Sequence, residues 1–219
     1  MEIKAKNARA ENFSRGRSMP IRYIVIHYTG NCGDTAENNA AYFAREVVGA
    51  SAHFFVDETE VWRSVPENCV AWHCGTKGRY YHSDCRNQNS VGVEICMLDK
   101  LGRVRRGSVE RAVQFTRELM RMYQIPAERV LRHYDVTRKC CPEPMVRTPA
   151  LWREFQDKIQ EVDDVKYYEK LTEIPAGEMR DTVQKLLERK VIAGNGSGLH
   201  LSEDMVRVLV WLRRLGVYQ

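Results

Sequence analysis

The run IRYIVIHY, Ile21 to Tyr28, constrains the fold more than any other stretch of the chain. It is β-branched and aromatic at odd and even positions alike, and a strand with no polar face has to be covered on both sides. It therefore predicts a central strand with a layer of structure above and below it. With 219 residues, 43% of them apolar, the chain is long enough for one sizeable core and a small satellite. The run ends with a polar residue that a core has no use for, His27.

The segments that follow alternate strand and helix patterns. Asp34, with Glu37 three residues on, forms a capping-box-like start for a helix to about Val48. Ser51 to Val65 has two strand-like halves around a polar DET turn and predicts a hairpin. Cys69 to Asn89 is rich in Gly, His, Tyr and Asn without periodicity, a long surface loop of the kind that carries function. In SVGVEICM, alternation sets Val91, Val93 and Ile95 on one face and Gly92, Glu94 and Cys96 on the other. A carboxylate inside such a strand is costly unless it has a partner or a task. A helix is expected from Ser108 to about Gln124, then a strand over 130–136. Another helix should start at Thr148-Pro149, with Trp152, Phe155, Ile159 and Val162 on one face.

Strands alternating with helices predict an α/β domain over residues 20–162, preceded by a polar basic tail, 1–19, and followed by a small, mainly helical module, 163–219. The module opens with a linker-like stretch, 163–175. It continues with an amphipathic segment at 176–190, a GNGSG turn at 194–198 and a last helix capped by Ser202.

Composition excludes several classes of function. No apolar run approaches the ~18 residues of a membrane span. The first residues are basic but lack an apolar segment behind them, so synthesis in the cytoplasm without a signal peptide is expected. The net charge of +5 is mild, and neither an RNA-binding signature nor a phosphate-cradling Gly loop is present, so no nucleic-acid partner is expected. An odd number of cysteines, 7, argues against a disulfide framework and leaves metal ligation open for one or two of them.

The stretch RHYDVTRKCCPEP, 132–144, places a His, an Asp, a Lys and two Cys together and braces them with two prolines. Catalytic zinc takes three His, Cys or carboxylate ligands and keeps a fourth position open. His27 and His133 at strand ends, with Cys141 in the Pro-braced loop, suit such a set. Spacing alone leaves open whether the two histidines are ligands or hydrogen-bonded structural residues.

VIHYTG, SAHFFVD, AWHCG, NSVGVEI and RHYDVTRKCCPEP occur in one order, and in this the chain resembles the zinc-dependent N-acetylmuramoyl-L-alanine amidases. That type 2 family includes amidase-type phage lysozymes and peptidoglycan recognition proteins. The resemblance implies a mixed central sheet flanked by helices and a Zn2+ in a surface groove. It also implies an endolysin that cleaves the amide between N-acetylmuramic acid and L-alanine in peptidoglycan, reaching the wall after release from the cell. Carried over by position, it makes His27, His133 and Cys141 the metal ligands, with Cys140 a spare neighbour. Glu94 becomes the general base and Lys139 the cation that stabilises the oxyanion. His73 is expected to line the groove, His53 to back a ligand from behind or to be structural, and Asp135 to fix the loop. Ala52 stands where some members carry a Tyr.

Two alternatives stand beside this reading: a peptidoglycan-binding protein without catalysis, and an intracellular amidase that recycles wall fragments. The last module resembles a C-terminal segment of phage and prophage lysins. Its final helix is too apolar for an ordinary surface helix. Attachment to the wall and homo-oligomer formation are the roles expected of it.

Overall fold

Lys4–Ala5 (β1) and Phe13–Ser14 (β2) open the structure inside the segment whose composition predicts a tail. The segment is instead fastened to the first unit. β1 lies parallel to Trp62–Arg63. Asn12 is buried and accepts at Oδ1 from the Val48 amide at 2.8 Å. The Arg17 guanidinium donates to the carbonyls of Glu67, Gln88 and Cys69. Charge content does not reveal such links, because the donors satisfy backbone carbonyls far away in sequence.

The computed structural model describes residues 1–75, 78–161, 166–194, 196 and 198–217. The chain divides into two units, Met1–Glu161 and Val162–Gln219. The first unit continues with Tyr23–Tyr28 (β3), Ala36–Arg45 (α1), Phe54–Val56 (β4), Val61–Arg63 (β5), Val70–Ala71 (β6) and Ser90–Ile95 (β7). It closes with Arg106–Tyr123 (α2), Val130–Arg132 (β8), His133–Thr137 (α3), Glu143–Arg147 (α4) and Pro149–Gln160 (α5).

The main sheet has the order β1-β5-β4-β7-β3-β8. The β4–β5 hairpin is antiparallel and the other pairings are parallel, so the sheet is mixed. β3 is an interior strand between β7 and the edge strand β8, one place from the sheet edge where the sequence predicted a central position, and both its apolar faces are covered. Ile24 and Ile26 join Val91, Val93 and Ile95 in a core with Phe115 and Leu119 of α2 and Trp152 and Phe155 of α5. On the opposite face, Ala36 and Ala40 of α1 cover Phe55, Trp62 and Cys96. Tyr23 and Val25 pack there against Cys74, Cys85 and Val136. The alternation read from SVGVEICM holds residue by residue.

Several boundaries differ from the sequence reading. The cap of α1 is Thr35, whose Oγ1 accepts from the Asn38 amide at 3.1 Å, while Asp34 accepts from the Asn39 side chain. α1 ends at Arg45 and α2 begins at Arg106, with Ser108 buried inside its first turn. The strand expected over 130–136 stops at Arg132 and becomes α3, because Asp135 Oδ2 accepts from the Arg132 amide at 2.9 Å and starts a helix there. Val162, expected on the face of α5, lies outside the described residues, as do residues 163–165 of the expected linker.

Asp57 joins the hairpin to α1. Its carboxylate accepts from the amides of Ala36, Thr59 and Glu60 and from the Thr59 hydroxyl. Burial pushes this carboxyl up, but the four donors together hold it below its ordinary value. Asp57→Ala is expected to cost about 2–3 kcal/mol, measured by urea unfolding at pH 7, because it orphans buried donors. A depressed folded pKa contributes stability that is present above the unfolded value of about 3.9 and lost as pH falls through the folded one. The gap between wild type and variant should therefore close in acid.

The second unit holds Tyr167–Tyr168 (β9), Glu178–Glu188 (α6), Leu201–Ser202 (β10) and Glu203–Arg214 (α7). β9 and β10 pair antiparallel. The expected linker contributes to this unit's own core, since Tyr168 and Ile174 are fully buried with Val183, Leu201 and Val206. Tyr167, Tyr168, Leu171 and Ile174 are scattered through a short polar stretch without periodicity, which is why the pattern hid them. Ser202 caps α7 as expected, accepting from the Met205 amide at 3.1 Å. Val206 and Val210 of α7 are buried, whereas Met205, Val208 and Trp211 are exposed. No helix among the described residues is long and apolar enough to cross a membrane.

Candidate functional site

Three neighbouring parallel strands bring the site together. His27 is in register with Glu94 across β3 and β7, and Ile26 with Arg132 across β3 and β8. The next position after Arg132 is His133, so Glu94, His27 and His133 stand side by side at the carboxyl ends of three parallel strands. Ligand sites of open α/β sheets lie at such ends. Cys141 returns to the same place because the loop folds back on α3, where the Tyr134 amide donates to the Cys141 carbonyl at 2.9 Å.

His27, His133 and Cys141 are all buried, and one donor atom of each lies within 4.8 Å of the others. Cys141 Sγ is 3.8 Å from His27 Nδ1. The His27 and His133 rings meet edge to face at 4.8 Å. Both ring nitrogens of His133 are buried and neither meets a well-formed hydrogen bond among the described residues, although the Gly75 backbone makes a polar contact with the ring. A buried imidazole so poorly satisfied has a lone pair to give, and a cation between the three side chains would take it. The donor set, two imidazoles and a thiol, is one that suits zinc.

Electrostatics agree with that assignment. Burial, then the neighbouring His133 and His73, hold His27 well below its ordinary value, and burial with Lys139 pushes His133 down to about 4. Both rings are neutral at pH 7 and have a lone pair to offer. Burial pushes Cys141 up to about 12 and Glu94 up to about 8. Glu94 Oε2 has no hydrogen-bond partner among the described residues. The pocket thus offers two imidazole lone pairs, a thiol and a carboxyl, and a cation arriving among them would let the thiol and the carboxyl ionise.

Glu94 also lines an open cleft of about 470 Å³, whose other walls include Asn31, Asn38 and Tyr42 with Phe43 and Phe55. The sequence reading did not find the α1 side of this cleft. A signal was present, since Asn38-Asn39 are poor choices for a helix interior and Tyr42 is exposed. Lys139 is exposed, and its charge lowers the carboxyl of Glu94 and the thiol of Cys141. Cys140 is exposed and is not part of the cluster that Cys141 joins. Asp135 fixes its loop by pairing with the Arg132 guanidinium at 2.8 Å.

His73 is placed differently from expectation. It is 8% exposed and sits behind His27, with His73 Nδ1 3.0 Å from His27 Nε2. It does not wall the cleft. A Cβ on Gly92 would lie 2.6 Å from the His73 ring, so the imidazole packs flat against a strand position that only glycine leaves open. His53 is fully buried, with Nε2 2.9 Å from Arg17 Nη2, and burial drives it down to about 3. Its Nδ1 accepts from the Gly92 amide at 3.0 Å, so both ring nitrogens are engaged inside the fold.

Two buried histidines at the ends of parallel strands, a buried cysteine brought to them by a loop, and a carboxylate beside them that lines a cleft define the class, a candidate single-metal hydrolase centre. The family follows from comparison with known proteins. The chain belongs to the N-acetylmuramoyl-L-alanine amidase family, whose sequence model matches residues 17–144. It is 34% identical over 160 residues to the N-acetylmuramoyl-L-alanine amidase CwlL of Bacillus licheniformis, covering 69% of this chain and 44% of that one. The chain thus spans less than half the length of that relative.

Among solved structures, PlyL superposes with a TM-score of 0.64 at 30% identity, covering 74% of this chain and 98% of PlyL. A mutant endolysin from Bacillus subtilis gives a TM-score of 0.62 at 27% identity, covering 73% and 99%. The mixed sheet flanked by helices is the fold that the sequence resemblance implied.

Proposed function

We propose that the chain is an endolysin-type N-acetylmuramoyl-L-alanine amidase. It hydrolyses the amide between N-acetylmuramic acid and L-alanine in peptidoglycan, with zinc held by His27, His133 and Cys141. The observation that carries this reading is the buried His-His-Cys cluster with Glu94 in register beside it, at the head of a cleft. Zinc, when bound, supplies a Lewis acid that lowers the barrier to attack of water on an amide.

The chain's own residues do the rest. The cleft beside α1 holds the glycan-peptide junction against Glu94. The Glu94 carboxylate orients the attacking water and accepts its proton, and a cation beside it brings that carboxyl down from its buried value. Lys139 faces the developing oxyanion with its ammonium. Retention of all three ligand-type residues together with Glu94 and Lys139 favours an enzyme over a binding protein that has lost its chemistry.

Zinc analysis of the purified chain, combined with mass spectrometry of digested walls, tests the reading. About one zinc per chain and freed L-alanine amines are expected. New reducing sugar ends would mean a glycosidase instead. Lys139→Ala is expected to keep zinc and fold and to lower turnover by on the order of a hundredfold. Near-full turnover on purified peptidoglycan would remove its role.

The second unit has its own core and as many basic as acidic residues over 163–219, nine of each. Its part in this reading is attachment to the wall, which raises residence on a repetitive polymer. The fragment 1–161 should hydrolyse small muropeptides at near-normal rates and lyse intact walls poorly. Sedimentation of the isolated second unit with walls, set against its mass in solution, separates attachment from association between copies.

A further inference from the structure

The geometry points to His73 and Ser90 as positioning residues that fix the tautomer and aim of His27, with the Arg86 carbonyl setting the direction of the relay. The relay rests on the metal reading above but on contacts of its own. Ser90 Oγ lies 2.6 Å from the Arg86 carbonyl and 3.2 Å from His73 Nε2. His73 Nδ1 lies 3.0 Å from His27 Nε2. Ser90 is fully buried and His27 is 1% exposed.

One end of this chain has no choice. A carbonyl oxygen carries no proton, so the Ser90 hydroxyl donates to Arg86 across the shorter of its two contacts. The hydroxyl lone pair then accepts from His73 Nε2–H. A neutral imidazole has a single N–H, which leaves His73 Nδ1 as an acceptor. That acceptor takes the Nε2–H of His27, and His27 Nδ1 is left bare, facing Cys141 Sγ at 3.8 Å. The lone pair that a metal needs is thus set from three contacts away, by a backbone carbonyl. The hydrogen bond on the far nitrogen also holds the ring's orientation, the way outer partners of metal-binding histidines act.

Gly92 is part of the arrangement. Its missing side chain is what allows the His73 ring to lie in contact distance behind His27. This accounts for a glycine in the interior of a central strand, where the residue is otherwise costly.

The test uses the full chain and zinc alone. In metal-free wild type, nitrogen NMR of the imidazoles is expected to show His27 and His73 both protonated on Nε2 and bare on Nδ1. His73→Leu, which keeps bulk and removes the acceptor, is expected to weaken zinc binding roughly ten- to hundredfold in a chelator competition. His73→Asn can return a carbonyl oxygen near the position of Nδ1 and should recover binding to within a few-fold. Ser90→Ala should leave the fold intact and let the His73 ring populate both tautomers.

A His27 protonated on Nδ1 in the metal-free chain would overturn the relay. So would a folded His73→Leu that binds zinc as tightly as wild type, or an Asn variant no better than Leu. If wild type binds no zinc, the metal reading fails, yet the NMR signature still decides the relay.

Discussion

Replacing Cys141 by Ser is expected to abolish stoichiometric zinc binding and with it the hydrolysis of peptidoglycan, whereas Cys140→Ser should keep both. The two cysteines are neighbours in sequence and opposites in placement. Cys141 is 4% exposed and Cys140 lies at the surface. Cys141 Sγ shares the cluster with both histidines, and its backbone is tied to α3 through Tyr134. A buried thiol held up near 12 has little reason to ionise until a cation arrives, and binding of the metal then releases its proton. Serine keeps the size but offers an alcohol that does not ionise at neutral pH. Loss of a direct ligand should therefore exceed the roughly ten- to hundredfold cost of losing an outer partner. Metal content after dialysis, read by elemental analysis, decides it. Equal metal loss in the two variants would sink the assignment of Cys141.

The parts of this site that were legible in the sequence are those that short-range pattern dictates. A run apolar on both faces has to be interior, and the alternation of SVGVEICM has to send Glu94 to the face opposite Val93. The doubled cysteine in a Pro-braced loop marks itself by residue type. These features depend on neighbours one or two positions away. That β3 and β7 pair in parallel with His27 opposite Glu94 is what the structure adds.

What remained hidden depends on partners far along the chain. His73 lies in an aperiodic stretch, and its place behind His27 is decided by the absence of a side chain on Gly92. The capping role of Asp135 competes with the strand pattern of 130–136 and wins, because a carboxylate that satisfies a helix's first amide outweighs weak strand propensity in a short run. The basic N-terminal segment reads as a tail by composition, yet Arg17 satisfies carbonyls from loops about fifty to seventy residues away. The Tyr168 ring is fully buried in a unit too small to show a long periodic signal.

Glu94→Gln should separate function from stability more sharply than any other substitution in the chain. The amide keeps the shape of the side chain but cannot take a proton from water, so turnover on purified peptidoglycan is expected to fall by on the order of a hundredfold or more while zinc is retained. Stability of the metal-free chain should move the other way. Burial raises the folded value of Glu94 to about 8, with the Lys139 charge pulling it down and Asp34 pushing it up. A raised carboxyl contributes stability that is fully present below its unfolded value of about 4.3 and is lost as pH rises through the folded one. Metal-free wild type should therefore lose stability relative to the Gln variant between about pH 4 and pH 8, and the gap should stop widening above that. Paired urea titrations at pH 4, 6 and 8.5 would show it. A variant with full turnover would end the general-base role. A stability gap that did not change with pH would show that the half-buried carboxylate costs the fold nothing, and its presence beside His27 would then need no catalytic task to explain it.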